Sequence, residues 1–152
     1  LVEAGADGLV LFNRFLQPAI DVERLAVVPG VTLSSRADGR VPRTWIATLR
    51  NRTTASLAGT SGVETAEDVV AYLLAGADVV MTTSSLLRHG AGYAGKLLAG
   101  LDEWMTRRGF TSVADFRGLL AVPAGEEASD SARAGYVAAL EKATATYGSL
   151  RA

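Results

Sequence analysis

The apolar residues of the chain gather in short runs that alternate with longer segments of helical period. Two of these runs, residues 8–12 and 79–81, each follow a copy of the sequence AGAD. Glycine readily ends a helix in the left-handed conformation, and a short apolar run after such a stop is typical of a buried strand. The spacing of the two copies leaves room for two β/α units of roughly 30 residues each, so a third strand is expected at residues 54–57.

The segments between the runs carry the pattern of amphipathic helices. Pro42 fits the first turn of a helix that ends near Arg52. Thr65 and Asp68 form a capping pair ahead of an apolar face that Gly76 closes. Further helices are expected at residues 90–109 and 112–120, followed by a linker at 122–130 and a C-terminal helix at 131–152.

Alternating strands and helices favour an α/β fold in which helices cover a parallel sheet. Three strands cannot close a barrel, and a complete (β/α)8 barrel needs about 250 residues. We therefore expect the C-terminal portion of a (β/α)8 TIM barrel, about three β/α units over residues 1–121, with extra C-terminal helices. The sequence opens at Leu1 on what reads as the end of a helix, which indicates a piece of a longer protein.

Composition narrows the function classes. The formal net charge of −1 gives no basic footprint for nucleic acid or for an anionic membrane surface. No cysteine is present, which excludes disulfides and thiolate metal sites. Asp68 and Asp78 interrupt the best apolar run, so no span of about 20 residues is available to cross a membrane. We expect a cytoplasmic protein with a small-molecule substrate, without nucleic acid, membrane or metal partners, and with a homodimer as one option for its assembly.

Two clusters of small polar residues follow consecutive predicted strands. Gly59, Thr60, Ser61 and Gly62 follow the middle strand, and Thr82–Ser85 follows the last one, in the sequence TTSS. In barrel enzymes the loops after the last two strands often bind phosphate through converging N–H and O–H donors. We expect one phosphate site between residues 59–62 and the pair Thr83 and Ser84. Helix capping and ordinary turn chemistry are the alternative for each cluster alone.

Asn13 and His89 are weaker candidates. Asn13 ends the first predicted strand, where its amide offers a donor and an acceptor to a planar substrate, although an Asn that begins a turn is the alternative. His89 is the only histidine, and we expect it in a loop or at a helix end because no carboxylate or cysteine is spaced to orient it.

Three stretches of the sequence resemble one enzyme family. The stretches GADGLVLFNRF, ASLAGTSGVETAEDVVAYLLAGADVVMTTSSLLRHG and LLAGLDEWMTRRG are similar to the C-terminal part of soluble, FMN-dependent dihydroorotate dehydrogenases. The resemblance covers about residues 1–120 and implies an FMN-containing barrel that oxidises dihydroorotate to orotate in pyrimidine biosynthesis. It implies that Gly59–Gly62, Thr83 and Ser84 hold the FMN phosphate and that Asn13 hydrogen-bonds the pyrimidine.

The sequence also departs from the family pattern. Ser61 and Thr83 stand where better-studied members have glycine, and each Cβ narrows the approach of the backbone to phosphate. The resemblance places the catalytic Cys or Ser base and the lysines near the flavin before Leu1, so no catalytic residue is assigned within the chain. Two other classes stay open: a barrel lyase or isomerase that binds a sugar phosphate at the same loops, and an inactive half-barrel that associates through exposed strand edges.

Overall fold

The computed structural model describes residues 1–13, 18–30, 32–124 and 142. Residues 1–121 form one compact unit, and residues 122–152 form a second. The expected linker at 122–130 and helix at 131–152 lie almost entirely outside the described residues. The first unit carries all the elements discussed below.

Five strands and four α-helices make up the described part of this unit. The strands are β1 (Gly8–Leu11), β2 (Ala19–Asp21), β3 (Ala26–Val28), β4 (Ser56–Gly59) and β5 (Val79–Val80). The helices are α1 (Arg40–Leu49), α2 (Ala66–Ala75), α3 (Ser84–His89) and α4 (Tyr93–Arg108), with 3-10 turns at Val2–Ala4, Arg36–Gly39, Arg50–Arg52 and Val113–Asp115.

The expected parallel sheet is present, in the order β1-β4-β5. Val10 pairs with Ala58 and Ala58 with Val79, which aligns the carboxyl ends of the three strands at one edge. The middle strand begins two residues later than predicted. Thr53 Oγ1 accepts the N–H of Ala55, and this local turn keeps residues 53–55 out of the strand.

Both copies of AGAD behave as the sequence predicts. Gly5 and Gly76 have φ angles of 97° and 114°, and each ends a helical segment ahead of a strand. The capping box of Thr65 and Asp68 is confirmed at the start of α2. The expected helix at 112–120 is shorter than predicted, since a capping box at Ser112 starts only the one turn Val113–Asp115.

The core lies between the sheet and the helices α1 and α2. Its buried members are Ile46, Leu57, Val63, Tyr72, Ala75 and Ala77. Alternate strand residues point to the other face, where Val10 and Val79 keep more than half of their surface exposed, at 59% and 55%. One face of the sheet is therefore packed by helices, and the other is open and apolar.

Two features flank this layer. Strands β2 and β3 form an antiparallel hairpin that the sequence reading missed, with Asp21 Oδ1 accepting the N–H groups of Glu23 and Arg24 in its turn. After α4, the rings of Trp104, Phe110 and Phe116 lie 5.0–5.6 Å apart between centroids, and Phe116 is fully buried. This aromatic cluster anchors the segment that follows α4.

Candidate functional site

A cavity of about 150 Å³ opens beside the carboxyl ends of the parallel strands. Its walls come from the ends of β1, β4 and β5 and from the segment before α1. The lining residues are Asn13, Ser34, Thr60, Ser61, Gly62, Val63, Met81, Thr82, Thr83 and Ser84. The structure thus brings both predicted loops and Asn13 to one place.

The loop after β4 bends sharply at Ser61 and Gly62, whose φ angles are 80° and 67°. A Cβ on Gly62 would lie 2.3 Å from the backbone nitrogen of Gly39, so only glycine fits there. Ser61 adopts a left-handed conformation that disfavours a side chain, and its hydroxyl donates to the carbonyl oxygen of Phe12 at 3.1 Å. This hydrogen bond ties the loop to the end of β1.

Gly59 is not one of the lining residues. It is the last residue of β4, and a Cβ there would lie 2.3 Å from the Tyr72 ring and 3.0 Å from Ile46. The packing of α2 against the sheet therefore accounts for this glycine. The other five predicted cofactor contacts, Thr60, Ser61, Gly62, Thr83 and Ser84, all line the cavity.

The four hydroxyls after β5 divide into two kinds. Thr82 Oγ1 donates to the Val63 carbonyl at 3.0 Å and lies 2.7 Å from Oγ of Ser85, which is fully buried. These two hydroxyls hold the last two loops together. Thr83 is exposed, and Ser84 is half-buried at the cavity wall.

Ser84 has a partner that the sequence reading did not single out. Its Oγ accepts the N–H of Ser34 at 3.0 Å and the Ser34 hydroxyl at 2.8 Å. A hydroxyl has two acceptor lone pairs and one proton, so both acceptor positions of Ser84 are in use and its own proton is left to donate. Ser34 lies 50 residues away in an irregular segment, and no local motif could have indicated it.

A charged cluster supports this wall from outside. Glu64 accepts from Arg88 at 2.6 Å and lies 2.7 Å from Nε2 of His89, and Arg88 also donates to the Ser34 carbonyl at 2.8 Å. The hydrogen bond from His89 lowers the pKa of Glu64, burial opposes this, and Arg88 lowers it further. His89 ends α3 as expected. The expectation that no carboxylate orients it is wrong, because the Glu64 carboxylate contacts its ring from 25 residues earlier in the sequence.

Asp68 holds the segment before α1 against the start of α2. Its carboxylate accepts from Nε of Arg36 at 3.0 Å and from the N–H groups of Thr65 and Glu64 at 3.0 and 3.2 Å. Burial acts to raise the pKa of Asp68, but the hydrogen bonds from Thr65, Glu64 and Arg36 outweigh it, so the pKa is lowered.

The described residues that line the cavity are uncharged, and all but Val63, Met81 and Gly62 have polar side chains. They offer hydroxyls, one amide and backbone groups, and the ten lining residues include no Asp, Glu, Lys or Arg. Neutral donors around a small concave space suit an anion that is recognised by hydrogen bonds. Within the described residues, no group of three or more His, Asp or Glu side chains is placed to hold a metal ion. Among those residues no helix combines the length and apolar character needed to cross a membrane.

Comparison with known proteins bears on this arrangement. The chain is 33% identical over 122 residues to the dihydroorotate dehydrogenase (quinone) of Deinococcus radiodurans, a match that covers 78% of this chain and 32% of the relative. The chain is dihydroorotate dehydrogenase-like. A second relative, dihydroorotate dehydrogenase A (fumarate) of Lactococcus lactis, is 36% identical over 62 residues, covering 41% of this chain and 20% of the relative. No family model matches the chain.

Solved structures agree on the fold. The ligand-free dihydroorotate dehydrogenase of Eimeria tenella superposes on the chain with a TM-score of 0.64 at 24% identity, covering 80% of this chain and 34% of the other. The complex of the same enzyme with ferulenol gives a TM-score of 0.64 at 23% identity. The chain spans about a third of the length of these relatives. The names of the relatives carry three different qualifiers: quinone, fumarate and NAD(+).

Proposed function

We propose that the chain is the C-terminal part of an FMN-dependent (β/α)8-barrel oxidoreductase of the dihydroorotate dehydrogenase type, and that this part holds the FMN phosphate. The whole enzyme would oxidise dihydroorotate to orotate in pyrimidine biosynthesis. The cavity at the carboxyl ends of β1, β4 and β5 carries the proposal, because active sites of such barrels lie at that end of the strands.

The size and lining of the cavity fit a phosphate group. Its volume is about 150 Å³. Ligand pockets for whole small molecules are usually about 300–1,000 Å³, so the cavity suits the phosphate end of a larger cofactor. None of the described lining residues carries a carboxylate that would repel the phosphate.

Each proposed contact has a separate task. Ser61 and Gly62 offer backbone N–H groups, and Ser84 offers the hydroxyl proton that its two bonds from Ser34 leave available. Thr60 and Thr83 complete the wall, and Asn13 offers an amide to the substrate from the end of β1. FMN, when bound, supplies the hydride-accepting atom, and the protein positions it against the substrate.

The open sheet face supports the proposed partial barrel. Val10 and Val79 lie on a face that no described element covers, and the chain spans about a third of its relatives. In a closed barrel this face points inward and is filled by layers of side chains from all the strands.

The test is flavin binding by the intact polypeptide that carries this sequence. Purified protein is expected to show visible flavin absorbance and to bind FMN at least about tenfold more tightly than riboflavin, since each hydrogen bond to a charged phosphate contributes about 1.5–3 kcal/mol. Riboflavin is the matched control because it lacks only the phosphate. Colourless protein without FMN uptake would contradict the proposal. Binding of a sugar phosphate instead of FMN would favour a barrel lyase or isomerase.

A further inference from the structure

The side chain of Tyr72 extends from α2 to the loop Thr60–Gly62 that follows β4. Its ring is fully buried in the core beside Gly59 and Ile46. Its hydroxyl lies within hydrogen-bond distance of two successive carbonyl oxygens, those of Thr60 at 2.8 Å and Ser61 at 2.7 Å, which share its single proton. Burial raises the pKa of Tyr72 to about 12, although Arg43 acts to lower it, so the phenol keeps its proton and stays a donor near neutral pH.

These two contacts determine where the neighbouring N–H groups point. In a trans peptide the carbonyl of one residue and the N–H of the next point in opposite directions, and both peptides here are trans. With the carbonyls of Thr60 and Ser61 turned toward Tyr72, the N–H groups of Ser61 and Gly62 point away from it.

The hydrogen bonds of the loop agree with this orientation. The N–H of Thr60 donates to the Leu11 carbonyl at 3.0 Å, whereas no described residue accepts from the N–H of Ser61 or Gly62. Both residues line the cavity. Successive N–H groups that have no partner among the described residues and border one concave space form an anion-binding arrangement.

We infer that Tyr72 is a positioning residue for phosphate recognition, because its hydroxyl holds the Ser61 and Gly62 N–H groups toward the cavity. The inference rests on the proposed function of this cavity. Without the hydroxyl, each peptide can rotate and turn its carbonyl oxygen toward the phosphate, which repels it. The Tyr72 ring alone would preserve the core but not this orientation.

The test compares Tyr72→Phe with Tyr93→Phe in the intact polypeptide. Tyr93 is the matched control, since its hydroxyl also donates to a backbone carbonyl, that of Glu64 at 3.1 Å, outside the Ser61–Gly62 turn. Titrations with FMN and riboflavin give the ratio of the two affinities, which isolates the contribution of the phosphate. Tyr72→Phe is expected to weaken FMN binding about tenfold without changing riboflavin binding, and Tyr93→Phe to leave the ratio unchanged.

The outcomes separate this inference from the proposed function. If wild-type protein prefers FMN over riboflavin and Tyr72→Phe keeps that preference, the role of Tyr72 is refuted and the phosphate site stands. If Tyr72→Phe weakens both flavins equally, the hydroxyl is only structural and the inference fails. If the wild-type protein shows no preference for FMN, the proposed function fails and the inference fails with it.

Wild-type protein allows a second measurement that needs no variant. On addition of inorganic phosphate, the amide proton resonances of Ser61 and Gly62 are expected to move in an NMR titration. That of Thr60 is expected to stay, because its N–H is already bonded to Leu11. Immobile Ser61 and Gly62 resonances in a protein that binds phosphate would overturn the inference.

Discussion

Replacing Asp68 by Asn tests the link between the start of α2 and the segment before α1. The carboxylate is almost fully buried and accepts from Arg36, Thr65 and Glu64. A hydrogen bond to a charged group contributes about 1.5–3 kcal/mol, compared with about 0.5–1.5 kcal/mol for a neutral pair. The substitution weakens three hydrogen bonds, but the Arg36 side chain is 53% exposed, so water can solvate its guanidinium when the carboxylate is lost. We therefore expect the free energy of unfolding to fall by about 2–3 kcal/mol.

Urea unfolding at pH 7, followed by circular dichroism, measures this loss. In a thermal melt, a unit of this size loses roughly 3–5 °C in Tm per kcal/mol, so the Tm of Asp68→Asn is expected to fall by about 6–15 °C. Glu67→Gln is the control, because the Glu67 side chain is 78% exposed and lies 3.6 Å from Arg36. An exposed pair of this kind contributes about 0–1 kcal/mol. Equal stability of the two variants would refute the reasoning.

The lowered pKa of Asp68 also predicts how the stability difference between wild type and Asp68→Asn depends on pH. The folded pKa of Asp68 is lowered from its ordinary value of 3.8, so the unfolded chain takes up the proton first as the pH falls. The stability that the carboxylate contributes is therefore complete above pH 3.8 and is lost as the pH falls through the folded pKa. The difference between wild type and Asp68→Asn should stay constant from pH 7 to about pH 5 and shrink below pH 4. A difference that grows on acidification would contradict this sign.

Three further substitutions test the site and the core. Ser84→Ala leaves the two donors of Ser34 without their acceptor. It is expected to lower the free energy of unfolding in urea by about 1–2 kcal/mol and to weaken FMN binding, and an unchanged FMN affinity would show that Ser84 is not part of the site. Gly59→Ala places a Cβ 2.3 Å from the Tyr72 ring and is expected to cost about 1–3 kcal/mol, an expectation that an unchanged Tm would disprove. Phe116→Ala empties the aromatic cluster and is expected to cost about 3–5 kcal/mol, which a thermal melt within 1 °C of wild type would contradict.

The parts of the fold with local causes could be predicted from the sequence. The stop at Gly76, the capping box of Thr65 and Asp68, and the apolar runs of β1 and β5 each depend on residues within a few positions of one another. The hairpin of β2 and β3 was missed because its residues are mostly exposed and carry neither clear alternation nor a glycine turn. Periodicity in a sequence arises where one side of an element is buried against a core, and little of this hairpin is buried.

The two predicted loops met in one cavity because consecutive parallel strands align their carboxyl ends. The supporting residues could not be found in that way. Ser34 contacts Ser84 across 50 positions, and Glu64 contacts His89 across 25. In the sequence, Tyr72 is indistinguishable from an ordinary aromatic residue of the core. Its hydroxyl contacts arise only because α2 packs closely on Gly59. Such pairings follow from tertiary packing, which no short spacing encodes.

The hydrogen bond from Ser61 to Phe12 has a consequence for communication between ligands. Phe12 precedes Asn13, and Ser61 precedes Gly62, so one bond couples the end of β1 to the amides of the neighbouring loop. A displacement of Phe12 therefore acts on the hydroxyl of Ser61, and a displacement of Ser61 acts on the carbonyl of Phe12. For two ligands bound on the two sides of this bond, linkage requires each ligand to change the affinity for the other by the same factor. Ser61, at a position where glycine is easier, thus supplies a hydrogen bond through which a displacement on one side of the cavity reaches the other side.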